Sequence, residues 1–326
     1  MTLVELLMVM GLLALLLGFG VGSIAGLDIG NYGATGLVKS TLRSTSNWST
    51  ARHAPARVRI DPTTGRIAAE GLAVVGTWHF EKQPPQGAFD LDGDLLGAEL
   101  VEGGFVGKAL SFTGTGAGSS YEVPVQTDPA FDLSTGFQVQ LALRPENASG
   151  ARVLLLGKSV QIEATSKFGM KVTVATERFD EETGKPVSAG NAILETPAGV
   201  LQPDIWNRVL VSYDRALLSI FVEGVSVASV AEEGTVLPTR SPLVLGGGSR
   251  PWSGSIDNLV ISAVGASEEV FLPEGAEFPA DTIREIVFAA GGGLDRSIHE
   301  TPVAIEVNFE DGRRETIRVG MYGTVE

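Results

Sequence analysis

Carboxylates are the residues of this sequence with the most chemistry to offer, and their settings differ sharply. Glu5 is the only ionisable side chain in an apolar run that opens Met1-Thr2-Leu3-Val4 and continues to Leu27. A charge in such surroundings is costly and implies a partner; an α-amino group is the simplest cation to meet it. Asp90, Asp92 and Asp94 offer hard oxygens of the kind Ca²⁺ prefers. Yet Asp-Leu-Asp-Gly-Asp lacks the rest of an EF-hand loop, and alternate carboxylates on a strand also share one solvated face. Glu177, with Asp180, Glu181 and Glu182 beside Thr183-Gly184-Lys185, has the look of a solvated loop. His53, His79 and His299 are scattered and no cysteine accompanies them, which argues against zinc and excludes disulfides.

The elements that must position these groups follow from pattern. From Leu6 to Leu27, 22 residues hold Ser23 as their only polar side chain, enough to cross a hydrocarbon core of about 30 Å as a helix. Gly18, Gly22, Gly26 and Gly30 recur every fourth residue, followed by Gly33 and Gly36. That spacing stacks them on one side of a helix and suits close helix packing. The Ser- and Thr-rich stretch from Val38 to Ala54 continues the helix, and Pro55 stops it. Next, Ala56 to Ile67 alternates around an Asp-Pro-x-x-Gly turn, a hairpin signal. Forty-one glycines and abundant Val, Leu and Thr favour many short strands beyond it.

Charge divides the chain: residues 1–83 carry net +2, residues 84–265 net −9 and residues 266–326 net −8. Acidic surfaces repel phosphate backbones, so no nucleic-acid partner is expected. The basic cluster of Lys39, Arg43, Arg52, Arg57 and Arg59 is expected to face acidic neighbours in an assembly.

The N-terminal segment, with Glu5 inside its apolar run and no Lys or Arg before Lys39, resembles the mature N-terminus of type IV pilins and type II secretion pseudopilins. The resemblance implies that Met1 is the processed, N-methylated first residue and that its amine pairs with Glu5 of a neighbouring subunit. It also implies a helical homo-oligomer of identical or related pilin subunits, built by a pilus assembly machinery. Such a subunit sits in the inner membrane before assembly and in an extracellular filament at the cell surface afterwards. The hairpin at 56–67 and the closing strands at 304–309 and 315–319 resemble the small β-domain of H-class pseudopilins. That domain is expected to be split, as 56–83 and 266–326, behind a helix over 1–55.

The intervening residues 84–265 resemble a laminin G-like, concanavalin A-like jelly roll. The likeness is carried by Gly107-Lys108-Ala109-Leu110-Ser111-Phe112, Phe137 to Pro145, Trp206 to Asp214, Leu218 to Gly224 and Gly254 to Ile261. It implies a possible calcium site that joins Asp257 to Asp90, Asp92 and Asp94. Glucanases on this scaffold carry a Glu-x-Asp-x-x-Glu strand, which is absent here, so no enzyme is expected. Trp206 and Tyr213 are expected in the core, with Trp252 less defined and Tyr121 a candidate for exposure.

The expected fold class is α+β: a long N-terminal hydrophobic helix with a small antiparallel β pilin domain, plus an all-β jelly-roll insert. The expected function is a structural filament subunit that displays the insert for adhesion to a glycan or surface protein. The alternative is a minor pseudopilin of a type II secretion system.

Overall fold

The computed structural model describes residues 29–326 except 83–84, 115–118, 129–130, 148–149, 180–185 and 239–240. Met1, Glu5, Gly18, Gly22 and Gly26, together with Asp180, Glu181 and Glu182, lie outside the described residues. The described chain opens on α1 (Ile29–Arg52), which ends ahead of Pro55. Its buried positions, Ala34, Val38, Leu42, Thr45 and Ser49, recur every three or four residues and form one face. Gly33 and Gly36 lie off that face, exposed, with open space where a Cβ would stand.

This arrangement corrects the expected fold class. The described chain is predominantly a β sandwich with one α-helix of 24 residues, and no described helix is long and apolar enough to cross a membrane. The residues explain it: past Leu27 the helical stretch becomes rich in Ser and Thr and carries Lys39, Arg43 and Arg52. The β-branched alternations beyond Pro55 claim most of the remainder as strands.

β1 (Ala56–Asp61) and β2 (Arg66–Trp78) form the hairpin. The Asp61 carboxylate accepts from the Thr63 amide and the Thr64 hydroxyl, and Gly65 closes the turn at φ 69°. Then come β3 (Asp94–Leu96), β4 (Glu99–Glu102), β5 (Lys108–Thr113), β6 (Ser120–Val123), β7 (Phe137–Pro145), β8 (Arg152–Leu156) and β9 (Val160–Ala164). They are followed by β10 (Met170–Phe179), β11 (Pro186–Glu195), β12 (Asn207–Tyr213), β13 (Leu217–Val222), β14 (Val225–Ala231), β15 (Thr235–Val236) and β16 (Leu243–Gly246). The 19-residue β17 (Ser253–Phe271) precedes β18 (Ala276–Glu277), β19 (Glu285–Phe288), β20 (Val303–Phe309) and β21 (Arg314–Val319).

A ten-stranded sheet runs β14-β13-β12-β7-β17-β2-β1-β19, with β5 also on β17 and β4 on β5. An eight-stranded sheet runs β11-β10-β9-β8-β16-β6-β3, with β15 on β10. Alternation decides what lies between them. Val139, Leu141 and Leu143 of β7, Val209 and Val211 of β12, and Leu218 and Ile220 of β13 point into one large core. A second core joins Ala34, Val38 and Leu42 of α1 to Val58, Ile60, Ile286 and Phe288, and to Ile305, Val307, Ile317 and Val319 of the small sheet β18-β20-β21. β2 and β17 pair along their length, from Trp78↔Leu259 to Arg66↔Phe271, so both strands run from one core to the other. Residues 265 and 266 fall within β17, at a register shift between Val264 and Ser267.

The large sheet turns back on itself. Its outward face at β12 and β13 meets β1 and β19, because the Arg59 guanidinium donates to the Leu217 carbonyl (2.8 Å) and the Ser219 hydroxyl (2.9 Å). Ser212 likewise donates to Glu285 at 2.6 Å. Leu210, Phe221, Val287 and Ile298 form a small apolar cluster in the same fold. Beside it lies a buried ionic group: Arg57 contacts Glu70 at 2.5 Å and Glu285 at 3.6 Å, while Arg59 and Arg66 reach Asp214 at 3.2 and 3.0 Å. Arg57 and Arg59 thus lie inside the molecule, each less than 2% exposed, and not on a surface that faces neighbouring subunits. Burial alone would lower the Arg57 pKa, but Glu70, Glu285 and Asp214 outweigh it and raise it. Burial would raise Asp214, yet Arg59, Arg66 and Arg57 hold its carboxyl well below the usual carboxylate range.

Candidate functional site

At one end of the sandwich, the link from β4 to β5 is a tight glycine loop, Gly103-Gly104-Phe105-Val106-Gly107. Gly103 and Gly107 adopt φ 82° and 63°, and the Gly104 amide bonds the Gly107 carbonyl at 2.8 Å. A Cβ on Gly104 would stand 2.3 Å from the Lys108 carbonyl oxygen, so the close approach requires glycine. Asp257 fixes this loop from below. Its Oδ2 accepts from the Val106 amide at 2.9 Å and its Oδ1 from the Asn258 amide at 2.7 Å. Burial pushes the Asp257 carboxyl up, against the lowering by these two amides, and nearby Glu81 adds to the rise. Glu81 also serves the loop, accepting from the Lys108 amide at 3.3 Å.

A second turn, Gln202 to Asn207, lies alongside. Asn207 is buried, and its amide donates to the carbonyls of Ile205 (2.8 Å), Gln202 (2.9 Å) and Leu143 (3.3 Å). Its oxygen accepts from the Gln202 amide at 2.8 Å, so this one side chain clamps the turn that presents Ile205 and Trp206. The Phe105 and Trp206 rings meet edge to face at 6.2 Å, and the Arg144 guanidinium lies 5.2 Å from the Trp206 centroid. Arg144 is oriented by the Ser255 hydroxyl at 3.1 Å. Phe105, Val106 and Ile205 are 40%, 57% and 49% exposed. The result is a fixed apolar rim with an aromatic pair and one cation. Such a surface suits the C–H faces of sugar rings or an apolar protein contact.

The residues singled out by sequence are dispersed. Asp257 is buried in the loop anchor, Asp92 is exposed and accepts from the Gly87 amide at 3.1 Å, and Asp94 is exposed in β3. Asp90 ends a short 3₁₀ turn, Ala88–Asp90. Among the described residues, no three His, Asp or Glu side chains are grouped to hold a metal ion. Glu177 is half-buried in β10. Tyr213 is in the core with its hydroxyl 2.8 Å from the Gly234 carbonyl, and Trp252 is buried. Tyr121 is buried too, edge-on to Phe80 at 5.6 Å, not exposed. Trp206, expected in the core, is only half-buried, because β12 begins at Asn207 and Trp206 belongs to the turn before it. His299 accepts from the Val287 amide at 3.0 Å and burial lowers its pKa, a structural role. Phe105 and Arg144 were not singled out. Their signal was available: an aromatic residue within Gly-Gly-Phe-Val-Gly is held by glycine geometry where it meets solvent.

Residues 116–269 match the family model described as the Concanavalin A-like lectin/glucanases superfamily. The chain therefore carries a laminin G-like, concanavalin A-like jelly-roll domain. Among solved structures, the binding domain of Paraclostridial Mosquitocidal Protein 1 is similar with a TM-score of 0.45 and 13% identity, covering 59% of this chain and 49% of that one. The binding domain of botulinum neurotoxin DC in complex with SialylT gives 0.42 and 10%, covering 58% and 47%. Domain 4 of AbnA, an extracellular arabinanase from Geobacillus stearothermophilus, in complex with arabinotriose, gives 0.41 and 15%, covering 59% and 93%. The chain spans about half the length of the two toxin binding domains. No curated protein matches it.

Proposed function

We propose that this chain is a displayed recognition subunit, whose jelly roll binds a glycan or surface protein through the Phe105–Trp206 rim. Its flanking segments incorporate it into a type IV pilus-like filament at the cell surface. The observation that carries the recognition half is the rim itself: exposed apolar side chains held in place by two buried polar anchors, Asp257 and Asn207. Preorganised aromatic and Arg groups of this kind dominate binding energies. The reading is non-enzymatic: Glu81 and Asp257 are engaged by backbone amides of the loop, and Glu102 at its start is paired with Lys108. A glycan and surface-protein array, followed by titration of the best ligand, tests it. Trp206→Ala is expected to weaken binding at least about tenfold, or about 1.4 kcal/mol. Asp257→Ala is expected to do the same by releasing the loop, with Phe105 still present. No ligand on the array, or wild-type affinity in both variants, defeats the rim as a binding site.

The filament half rests on the sequence, where Glu5 lies in the apolar segment with no basic residue near it. An unpaired buried charge costs about 3–5 kcal/mol, and without Glu5 the Met1 amine of a neighbouring subunit would lack its partner, so Glu5→Ala is expected to cut the yield of sheared filaments several-fold while cellular protein level is unchanged. Wild-type filament yield from that variant sinks the pairing argument.

A further inference from the structure

The fold of the large sheet leaves a cleft of about 290 Å³ between the outward face of the sandwich and the segments that cover it. Outward positions of neighbouring strands build its wall: Val74 of β2, Gln138 and Gln140 of β7, Val260 and Ser262 of β17. Ser262 stands opposite both Gln138 and Val74, and Val260 opposite Gln140, so these side chains form one continuous surface. Asp295 and Ser297 face it from the covering segment.

Two neighbours on that wall are treated differently. Gln140 donates to the Ser297 hydroxyl at 2.6 Å, and Ser297 donates in turn to Asp295 at 2.5 Å. Gln138 is only 5% exposed, yet its Oε1 has no hydrogen-bond partner. Buried acceptors are nearly always paired, so this one calls for a donor from outside the chain. A second device lies at the same cleft. β17 bulges between Asp257 and Val260, and Asn258 sits in the left-handed region at φ 48°. Bulges and strained non-glycine residues concentrate at functional sites, where they re-aim a side chain. Here the bulge brings the Asn258 side-chain oxygen Oδ1 to 2.8 Å from Nδ1 of the exposed His79, at the edge of the cleft.

The lining therefore combines amides, hydroxyls, the His79 imidazole and one acid with the apolar surfaces of Val74, Val260 and Val287, and among the described residues it includes no Lys or Arg. An anionic ligand would meet Asp295 with no lysine or arginine of the described lining to balance it. We propose that this cleft binds a neutral sugar residue, one hydroxyl donating to Gln138 Oε1 and the C–H face of the ring resting on Val74 and Val260. The site is separate from the rim and stands or falls without it.

The test uses the full chain in a detergent without a sugar headgroup, titrated by calorimetry and saturation-transfer NMR. The probes are the methyl glycosides of glucose, galactose, mannose and N-acetylglucosamine, with N-acetylneuraminic acid as the anionic counterpart. At least one neutral glycoside is expected to bind in the millimolar range, and the acid is expected not to bind. Gln138→Leu should weaken the neutral ligand about tenfold, as the loss of one buried hydrogen bond implies. Asn258→Gly, which keeps the positive φ but removes the amide, should weaken it as well; thermal melts establish that each variant is folded. Trp206→Ala should leave this binding unchanged. The proposal is overturned if no neutral glycoside binds, if the acid binds as well or better, or if folded Gln138→Leu and Asn258→Gly both bind as wild type. Loss of binding in Trp206→Ala would instead assign the sugar to the rim.

Discussion

Replacing Arg57 with methionine is expected to destabilise the protein by about 3–5 kcal/mol, the usual cost of breaking a buried ion pair from one side. Arg57 is fully buried between Glu70 and Glu285, and its removal leaves both carboxylates short of charge where water does not reach. Urea titration of the full chain measures the loss; a change below about 1 kcal/mol would mean the network is better hydrated than its burial indicates. Coupling should appear in the double variant Arg57→Met, Glu70→Gln, which removes a charge of each sign and is expected to recover part of the loss. The same cluster sets an acid limit. The Asp214 pKa is depressed in the folded state, so its contribution is present above the unfolded value of about 3.9 and is lost as pH falls toward the folded value. Asp214→Asn should flatten that acid limb.

Much of the sandwich was legible because its strands alternate: Phe137 to Leu143, Val209 to Tyr213 and Leu218 to Val222 each send every second residue into one core. The same rule misled at β1. Ala56-Arg57-Val58-Arg59-Ile60 alternates like a strand with one face in water, yet both faces are covered. The partners of its arginines, Glu70, Asp214 and Glu285, are set by how the sheet folds over, which no local pattern encodes. Gly254 to Ile261 stood out as one run, but the expected domain boundary between residues 265 and 266 cuts β17, whose register shifts at Asp257 to Val260 and at Val264 to Ser267. The structure absorbs both shifts and keeps one strand. The candidate sites were harder still. Asp257 stood out by its motif, but its task, anchoring a loop that begins some 150 residues earlier, depends on a contact between β17 and the β4–β5 link. Gln138 carries no sequence signal at all, since an unpaired acceptor is a property of its surroundings.

Trp78→Ala is expected to cost about 3–5 kcal/mol as well, through a cavity and not through charge. Trp78 ends β2 and is fully buried, and its indole N–H donates to the Leu91 carbonyl at 2.8 Å. Two glycines make its seat: a Cβ on Gly76 would come within 2.3 Å of the ring, and one on Gly87 within 2.4 Å of the indole nitrogen. Trp78→Phe keeps most of the volume but leaves the Leu91 carbonyl unpaired, so it should fall between wild type and Ala, with about 1–3 kcal/mol attributable to that orphaned acceptor. Gly87→Ala approaches the same contact from the other side, because its Cβ would also stand 2.1 Å from the Leu91 oxygen. It should therefore destabilise the fold even though it removes no atom. Urea midpoints at constant m-value would order the variants Phe above Ala at position 78, with Gly87→Ala clearly below wild type. If Trp78→Phe melts like wild type and Gly87→Ala is neutral, the indole is not what fixes the segment that enters the jelly roll after β2.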